Sequence, residues 1–316
     1  MADPVEAVNR RPPRGCQGPG RDSRQTMIRG IDHLVFCVRD LDRARRLYER
    51  LGFTVTPRAL HPFGTGNHLI QLDGNFIELL AVVEPAKIVA ARPGEFSFGD
   101  HNARFLNGGE GMAMLALFTD DARRDQREFG AKGLDTYPVF DFSRQATLPD
   151  GRQATVAFSL AFVTDARLPG IAFFVSQQHA PEYFWKPEYQ RHANGATLVS
   201  EVVMVADQPA ALRDLFEKLE GAANVAAGDG VLTVKTARGR IVVLAPGAFA
   251  RRFPQAPVPA TGAAPRFIAY RVAVADLGRV ATLLTNNAVT FARTGSRLRV
   301  ADVFGMIVEF SEDEEN

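Results

Sequence analysis

Apolar and polar residues alternate along Ile31–Val38, placing Ile31, His33, Val35 and Cys37 on one face and Leu34, Phe36 and Val38 on the other. That period of two predicts a strand. From Leu41 the period lengthens: Leu41, Ala44, Leu47, Tyr48 and Leu51 recur at three- and four-residue spacings, and Gly52 follows. This spacing predicts a helix with a glycine at its end. A strand ending in Asp recurs as IDHLVFCVRD (31–40), GMAMLALFTD (111–120), LVSEVVMVAD (198–207) and FIAYRVAVAD (267–276). Helices are expected after each, over Leu41–Leu51, Asp121–Ala131, Pro209–Leu219 and Leu277–Asn286, the second being weaker and highly charged.

Each copy closes on a strand introduced by Gly: GNFIELLAV (74–82), GIAFFVSQ (170–177), GRIVVLAP (239–246) and GMIVEFSE (305–312). The interval before it has room for two strands, with turn signals at Asp73-Gly74, Pro149-Asp150-Gly151 and Gly228-Asp229-Gly230. The repeating unit is therefore βαβββ, and four copies occupy residues 28–312. The expected fold is α+β, with four βαβββ modules divided between two domains over residues 27–194 and 195–316. Residues 1–26, rich in Arg, Pro and Gly without apolar periodicity, are expected to be a disordered extension. Residues 251–266, rich in Pro and Ala, are expected to be a semi-rigid, exposed connection.

The repeats allow positions to be compared. Seven residues before the marker Asp stand His33, Ala113, Ser200 and Ala269; four after the marker Gly stand Glu78, Phe174, Val243 and Glu309. Only the first copy carries a metal-ligating residue type at both positions. A Glu amid the apolar run Phe76–Val82 is costly unless paired, hydrogen-bonded or metal-bound. A two-residue hairpin at Asp73-Gly74 would set Gln71 opposite Phe76, Leu69 opposite Glu78 and Asn67 opposite Leu80. Asn67 and Gln71 then share the face of Glu78 and become candidate substrate contacts, while His68 turns to the helix side as a structural residue. The linker HAPEYFWKPEYQRHANGA (179–196) gathers aromatic and polar residues, and His179, Glu182 and Trp185 are further candidates for contacting a substrate. A strap packed across the two halves is the alternative role for that linker.

The repeated βαβββ pattern resembles the vicinal oxygen chelate superfamily, which includes glyoxalases, extradiol dioxygenases, fosfomycin-resistance enzymes and bleomycin-binding proteins. HPFGTGNHLIQLDGNFIELLAV and HAPEYFWKPEYQRHANGA resemble a glyoxalase-like family of mostly uncharacterised bacterial proteins. The resemblance implies that the modules form two cupped mixed-sheet domains with a cavity in each. It also implies a divalent metal held by His33 and Glu78, and Glu78 acting as the catalytic proton shuttle. If modules one and four paired, Glu309 would join that site; sequential pairing is commoner among four-module relatives. Modules three and four look degenerate and are expected to scaffold or to form a homodimer.

Composition narrows the partners. The 316 residues include 37 basic and 36 acidic side chains, for a net charge of +1. Nothing in that balance recruits nucleic acid or an anionic membrane. No apolar run reaches the length of a membrane span. The two cysteines, Cys16 and Cys37, are not expected to pair, and a cytoplasmic location is the default. No Cys-x-x-Cys, His-Glu-x-x-His or Gly-x-Ser-x-Gly occurs. Two functional classes remain. One is a metal-dependent lyase, isomerase or dioxygenase acting on a small oxygen-rich substrate. The other is a metal-free protein that sequesters a small molecule.

Overall fold

The computed structural model describes residues 29–147 and 151–312. The expected leader (1–26), Cys16 and residues 149–150 of the second turn signal lie outside the described residues. The first half contains β1 (Ile31–Cys37), α1 (Leu41–Arg50), β2 (Ala59–Leu60), β3 (Thr65–Gln71) and β4 (Phe76–Val82). It continues with α2 (Phe98–Gly108), β5 (Gly111–Phe118), α3 (Ala122–Ala131), β6 (Asp135–Thr136), β7 (Phe140–Thr147), β8 (Gln153–Thr164), β9 (Ala172–Gln178) and α4 (Pro181–Phe184). The second half contains β10 (Ala196–Val205), α5 (Arg213–Glu220), β11 (Val225–Gly228), β12 (Val231–Lys235), β13 (Arg240–Leu244) and α6 (Pro246–Arg252). It ends with β14 (Arg266–Val274), α7 (Leu277–Asn286), β15 (Ala292–Thr294), β16 (Arg297–Val303) and β17 (Met306–Glu312).

The fold is α+β, built on two mixed sheets. The first runs β2-β3-β4-β1-β5-β9-β8-β6 with β7 added on β8, and the second runs β11-β12-β13-β10-β14-β17-β16-β15. Modules one and two thus share one sheet, and modules three and four the other. Glu309, on β17, belongs to the second sheet and does not join His33 and Glu78 on β1 and β4.

The marker aspartates have a local cause. Asp40 and Asp276 each cap the helix that follows, accepting a hydrogen bond from the backbone N–H of Arg43 and Arg279. In the second module the cap is Asp121, the residue after marker Asp120, which accepts from the N–H of Arg124. Asp207 does not cap a helix; its carboxylate accepts from the N–H of Gly262. The third module is offset by one residue. Its β10–β13 ladder runs from Glu201 opposite Arg240 to Val205 opposite Leu244. The matching β1–β4 ladder runs from His33 opposite Phe76 to Cys37 opposite Leu80. Glu201, rather than Ser200, therefore occupies the place of His33, and Val242, rather than Val243, the place of Glu78. Counting from the marker Asp misses this, because that Asp is not the helix cap in module three.

The outer faces of both sheets and their helices form one continuous core. Tyr48 of α1 and Tyr270 of β14 are fully buried there and joined by a 3.0 Å hydrogen bond. Arg29 locks the seam: its backbone N–H donates to Glu220, and its side chain reaches Asp125, Glu128 and the carbonyl of Leu219. The inner face of the first sheet is closed by α2, whose Asn102 accepts a 2.7 Å bond from the Cys37 thiol. That of the second is filled at one end by Phe249 of α6 and by Phe253. The expected exposed connection over 251–266 is thus shorter at its start, because a helix anchors residues 246–252 in the cup and Phe253 is buried.

Candidate functional site

The hairpin at Asp73-Gly74 places Gln71 opposite Phe76, Leu69 opposite Glu78 and Asn67 opposite Leu80, the register its turn chemistry predicts. Asn67 therefore shares the inner face of the first sheet with Glu78, and its amide Nδ2 donates to Glu78 Oε1 at 2.6 Å. His33 reaches the same point from β1, with Nε2 3.9 Å from Glu78 Oε2. A third residue completes the group. His61, in the loop before β3, places Nε2 3.9 Å from Glu78 Oε1 and 3.2 Å from the Asn67 amide. All four side chains are buried.

Each histidine is held through its other nitrogen. His33 Nδ1 lies 2.6 Å from the Asp32 carboxylate, and His61 Nδ1 lies 2.7 Å from the Thr65 hydroxyl. With protons on both Nδ1 atoms, the two Nε2 lone pairs face the cavity, which is the orientation an outer partner imposes on a ligating imidazole. Burial holds His61 below the usual histidine range, partly offset by the Glu78 carboxylate, which keeps the ring neutral at pH 7. The His33 ring stacks on Phe76 at 4.2 Å and meets Phe174 edge-on at 5.2 Å. Asn67 Oδ1 is buried with no hydrogen-bond partner. Rotating that amide by half a turn would direct an oxygen at His61 and Glu78, where a cation would satisfy it. The donor types, two imidazoles, a carboxylate and an amide, suit a divalent metal. Among the described residues, however, no three His, Cys, Asp or Glu side chains already stand in a coordinating arrangement.

The surrounding wall is aromatic, with Phe63, Phe142, Phe158, Phe174 and Phe184 enclosing an inner chamber of about 50 Å³. It joins a wider vestibule of about 390 Å³, the two sharing Asn67, Leu69, Arg144 and Phe184. Arg144 stands between them. It projects from β7 on the same side as Phe140 and Phe142, while Asp141, Ser143 and Gln145 face out. Among the described residues no carboxylate lies within ion-pairing distance of it, and burial lowers its affinity for its proton.

The other expected contacts are distributed differently. Gln71 lines the vestibule but is committed to structure, donating to the Phe184 carbonyl and accepting from the Lys186 N–H. Trp185 packs behind the cavity wall against Phe76 and Phe184. Glu182 is exposed on α4. His179 is exposed and bonded to Ser159 at 2.7 Å, outside the chamber. His68 is buried on the helix side, bonded to the Thr56 carbonyl. The linker thus brings Phe184 to the chamber and Tyr183, Lys186 and Tyr189 to the vestibule, rather than the expected His179, Glu182 and Trp185. His61 and Arg144 escape a reading by repeats because they lie on an irregular loop and on a middle strand. The one signal for Arg144 was the alternation Phe140, Phe142, Arg144.

Two βαβββ modules forming one cup, with a histidine and a carboxylate facing its cavity, define a protein of the vicinal oxygen chelate superfamily. More particularly, residues 31–220 match the family model of the glyoxalase-like domain, and the chain belongs to that family. No curated protein matches it in sequence. Among solved structures, a hypothetical protein from Staphylococcus aureus is similar over 90% of this chain and 100% of its own, with TM-score 0.64 and 13% identity. A variant of 4-hydroxymandelate synthase from Streptomyces coelicolor has TM-score 0.54 at 12% identity, covering 92% of this chain and 95% of its own. The Mn(II)-bound glyoxalase from Novosphingobium aromaticivorans has TM-score 0.54 at 13% identity, covering 92% and 83%. At these identities the likeness is one of fold. No helix among the described residues is long and apolar enough to cross a membrane.

Proposed function

We propose that the protein is a divalent-metal-dependent enzyme of the lyase, isomerase or dioxygenase type, acting on a small, oxygen-rich, anionic substrate with an apolar or aromatic body. The observation that carries this reading is the convergence of the His33 and His61 Nε2 atoms on the Glu78 carboxylate at the floor of a phenylalanine-lined cup. His33, His61 and Glu78 would hold the ion, with Asn67 as a fourth donor after amide rotation. A divalent ion in such a site supplies Lewis acidity towards adjacent substrate oxygens.

The chain's own residues account for the rest. The phenyl wall takes the apolar body and excludes water from the chamber, which strengthens every charge interaction within it. Arg144 offers a planar fork to an anionic substrate oxygen at the chamber mouth. Asn67 donates to Glu78 Oε1 before that rotation; with the amide turned to the ion this bond is given up, and the Glu78 carboxylate is the group placed to take up and return a proton. The substrate enters through the vestibule, where Arg58 and Lys186 add positive charge. The test is the thermal midpoint with Mn, Fe, Ni or Zn supplied against the chelated protein. Bound ion raises the midpoint by mass action, and His33→Ala or His61→Ala should remove that rise. No shift with any of the four ions in the unsubstituted protein would overturn the metal reading.

A second reading, metal-free sequestration of a small anionic aromatic molecule, is favoured by the Asn67–Glu78 bond, which satisfies the carboxylate without a cation. It predicts ligand binding that is indifferent to chelator. On either reading the partner is a small molecule rather than nucleic acid or membrane. A cytoplasmic setting and a homodimer built through modules three and four complete the proposal.

A further inference from the structure

The second cup carries a charge imbalance that its own fold does not resolve. Glu201, in the place His33 takes in the first cup, and Glu309, opposite Arg271 as Glu78 is opposite Val35, are both buried. Neither carboxylate is open to a cation. Glu309 Oε1 accepts from Arg271 Nε at 2.7 Å, and its Oε2 from Arg299 Nε at 2.8 Å. Glu201 accepts from Arg240 Nε at 2.6 Å and from Arg252, and Arg271 stands 3.4 Å away. Arg297 lies 3.5 Å from Glu309 without a hydrogen bond. Five guanidiniums thus surround two carboxylates, an excess of three positive charges in a concave, partly desolvated site.

Several donors there remain unsatisfied. Among the described residues, Arg252 Nε is buried with no partner, and Arg297 makes no side-chain hydrogen bond. Desolvation, with Arg271 and Arg252 close by, pushes Arg297 below the usual arginine range. A cavity of about 440 Å³ opens over Arg240, Arg271 and Arg297, with the hydroxyls of Ser200 and Ser311 in its wall. Lys235 and Glu312 also line it, and Glu312 is engaged by the Leu277 N–H. Like charges crowded in a low-dielectric concavity repel, and a multiply charged anion relieves them while filling the guanidinium forks.

We propose that the second cup is a binding site for a phosphoryl-bearing small molecule of two to three negative charges, gripped by Arg240, Arg271 and Arg297. The first cup gathers ligands for a cation; its counterpart has turned the matching positions into anchors for arginines.

Inorganic pyrophosphate is the probe, titrated calorimetrically into the full-length protein at low ionic strength. One saturable site is expected, weakened at least tenfold by Arg297→Ala and by Arg240→Ala, and weakened by added salt. Among the described residues the Arg297 side chain makes no hydrogen bond, and Arg240 is partly exposed, so both variants should fold, as circular dichroism would verify. Arg144→Ala, in the first cup, should leave pyrophosphate affinity unchanged. Absence of binding would overturn the proposal. So would binding that survives Arg297→Ala and Arg240→Ala, or that Arg144→Ala abolishes.

Discussion

Glu220 offers a quantitative test of how the two halves are joined. It is fully buried at the seam, where Oε2 accepts from the Arg29 N–H at 3.0 Å and Oε1 has no partner. Burial raises its carboxyl from 4.5 to about 8, the Arg29 bond and charge offsetting only part of that rise. A raised folded-state value means that the group's stabilising share is fully present below pH 4.5 and is lost as pH climbs to about 8. Each pH unit above 4.5 removes about 1.4 kcal/mol, so the loss at pH 7 is about 3 kcal/mol. Glu220→Gln keeps the acceptor for Arg29 and removes the titration, at a cost of about 1 kcal/mol for an unpaired amide N–H. The variant should therefore be more stable than the parent by about 2 kcal/mol at pH 7, with the advantage vanishing or reversing near pH 5. Urea unfolding of both proteins at pH 5, 6, 7 and 8 measures this. A difference between the two that does not change with pH, or a variant that is less stable at pH 8, would refute the argument.

Other consequences of the structure are open to the same kind of measurement. Tyr48→Phe removes one buried hydrogen bond in the shared core and should lower stability by about 1 kcal/mol in urea unfolding. His101 is held at about 4 by burial, so the unfolded chain takes up its proton first as pH falls from 6.5 towards 4. Stability should decline across that window, and His101→Gln should flatten the decline in thermal unfolding curves. Asn67→Leu leaves the buried Glu78 with one hydrogen bond fewer and should cost about 1–3 kcal/mol, together with any metal-induced rise in midpoint. His68→Leu, on the opposite face of β3, should spare the metal response, and losing that response there would contradict the hairpin register.

Much of this architecture was legible in the chain. Each recurring apolar stretch can bury its residues only as a strand of period two or a helix of period 3.6, so the four modules follow from patterning, although the second carries one strand, β7, beyond the βαβββ unit. Asp73-Gly74 admits so narrow a choice of turn that the register of Asn67, Leu69 and Gln71 against Glu78 follows from local chemistry. Two of the four marker aspartates, Asp40 and Asp276, mark real helix starts because an Asp carboxylate satisfies the free N–H groups of a first turn, and in module two the residue after the marker, Asp121, does so. The same local logic fails at Asp207, whose partner, Gly262, is 55 residues away. Only tertiary structure decided the rest. That modules one and two share a sheet depends on β1–β5 pairing across 80 residues of chain, and no local pattern carries that choice. His61 and Arg144 come to the Glu78 cavity from a loop and a middle strand, where sequence spacing has no fixed relation to position in space. The arginines around Glu201 and Glu309 look like surface residues in a linear reading. They become a charged interior only when four separate segments close on two buried carboxylates, because the burial that makes a charge consequential belongs to the assembled fold.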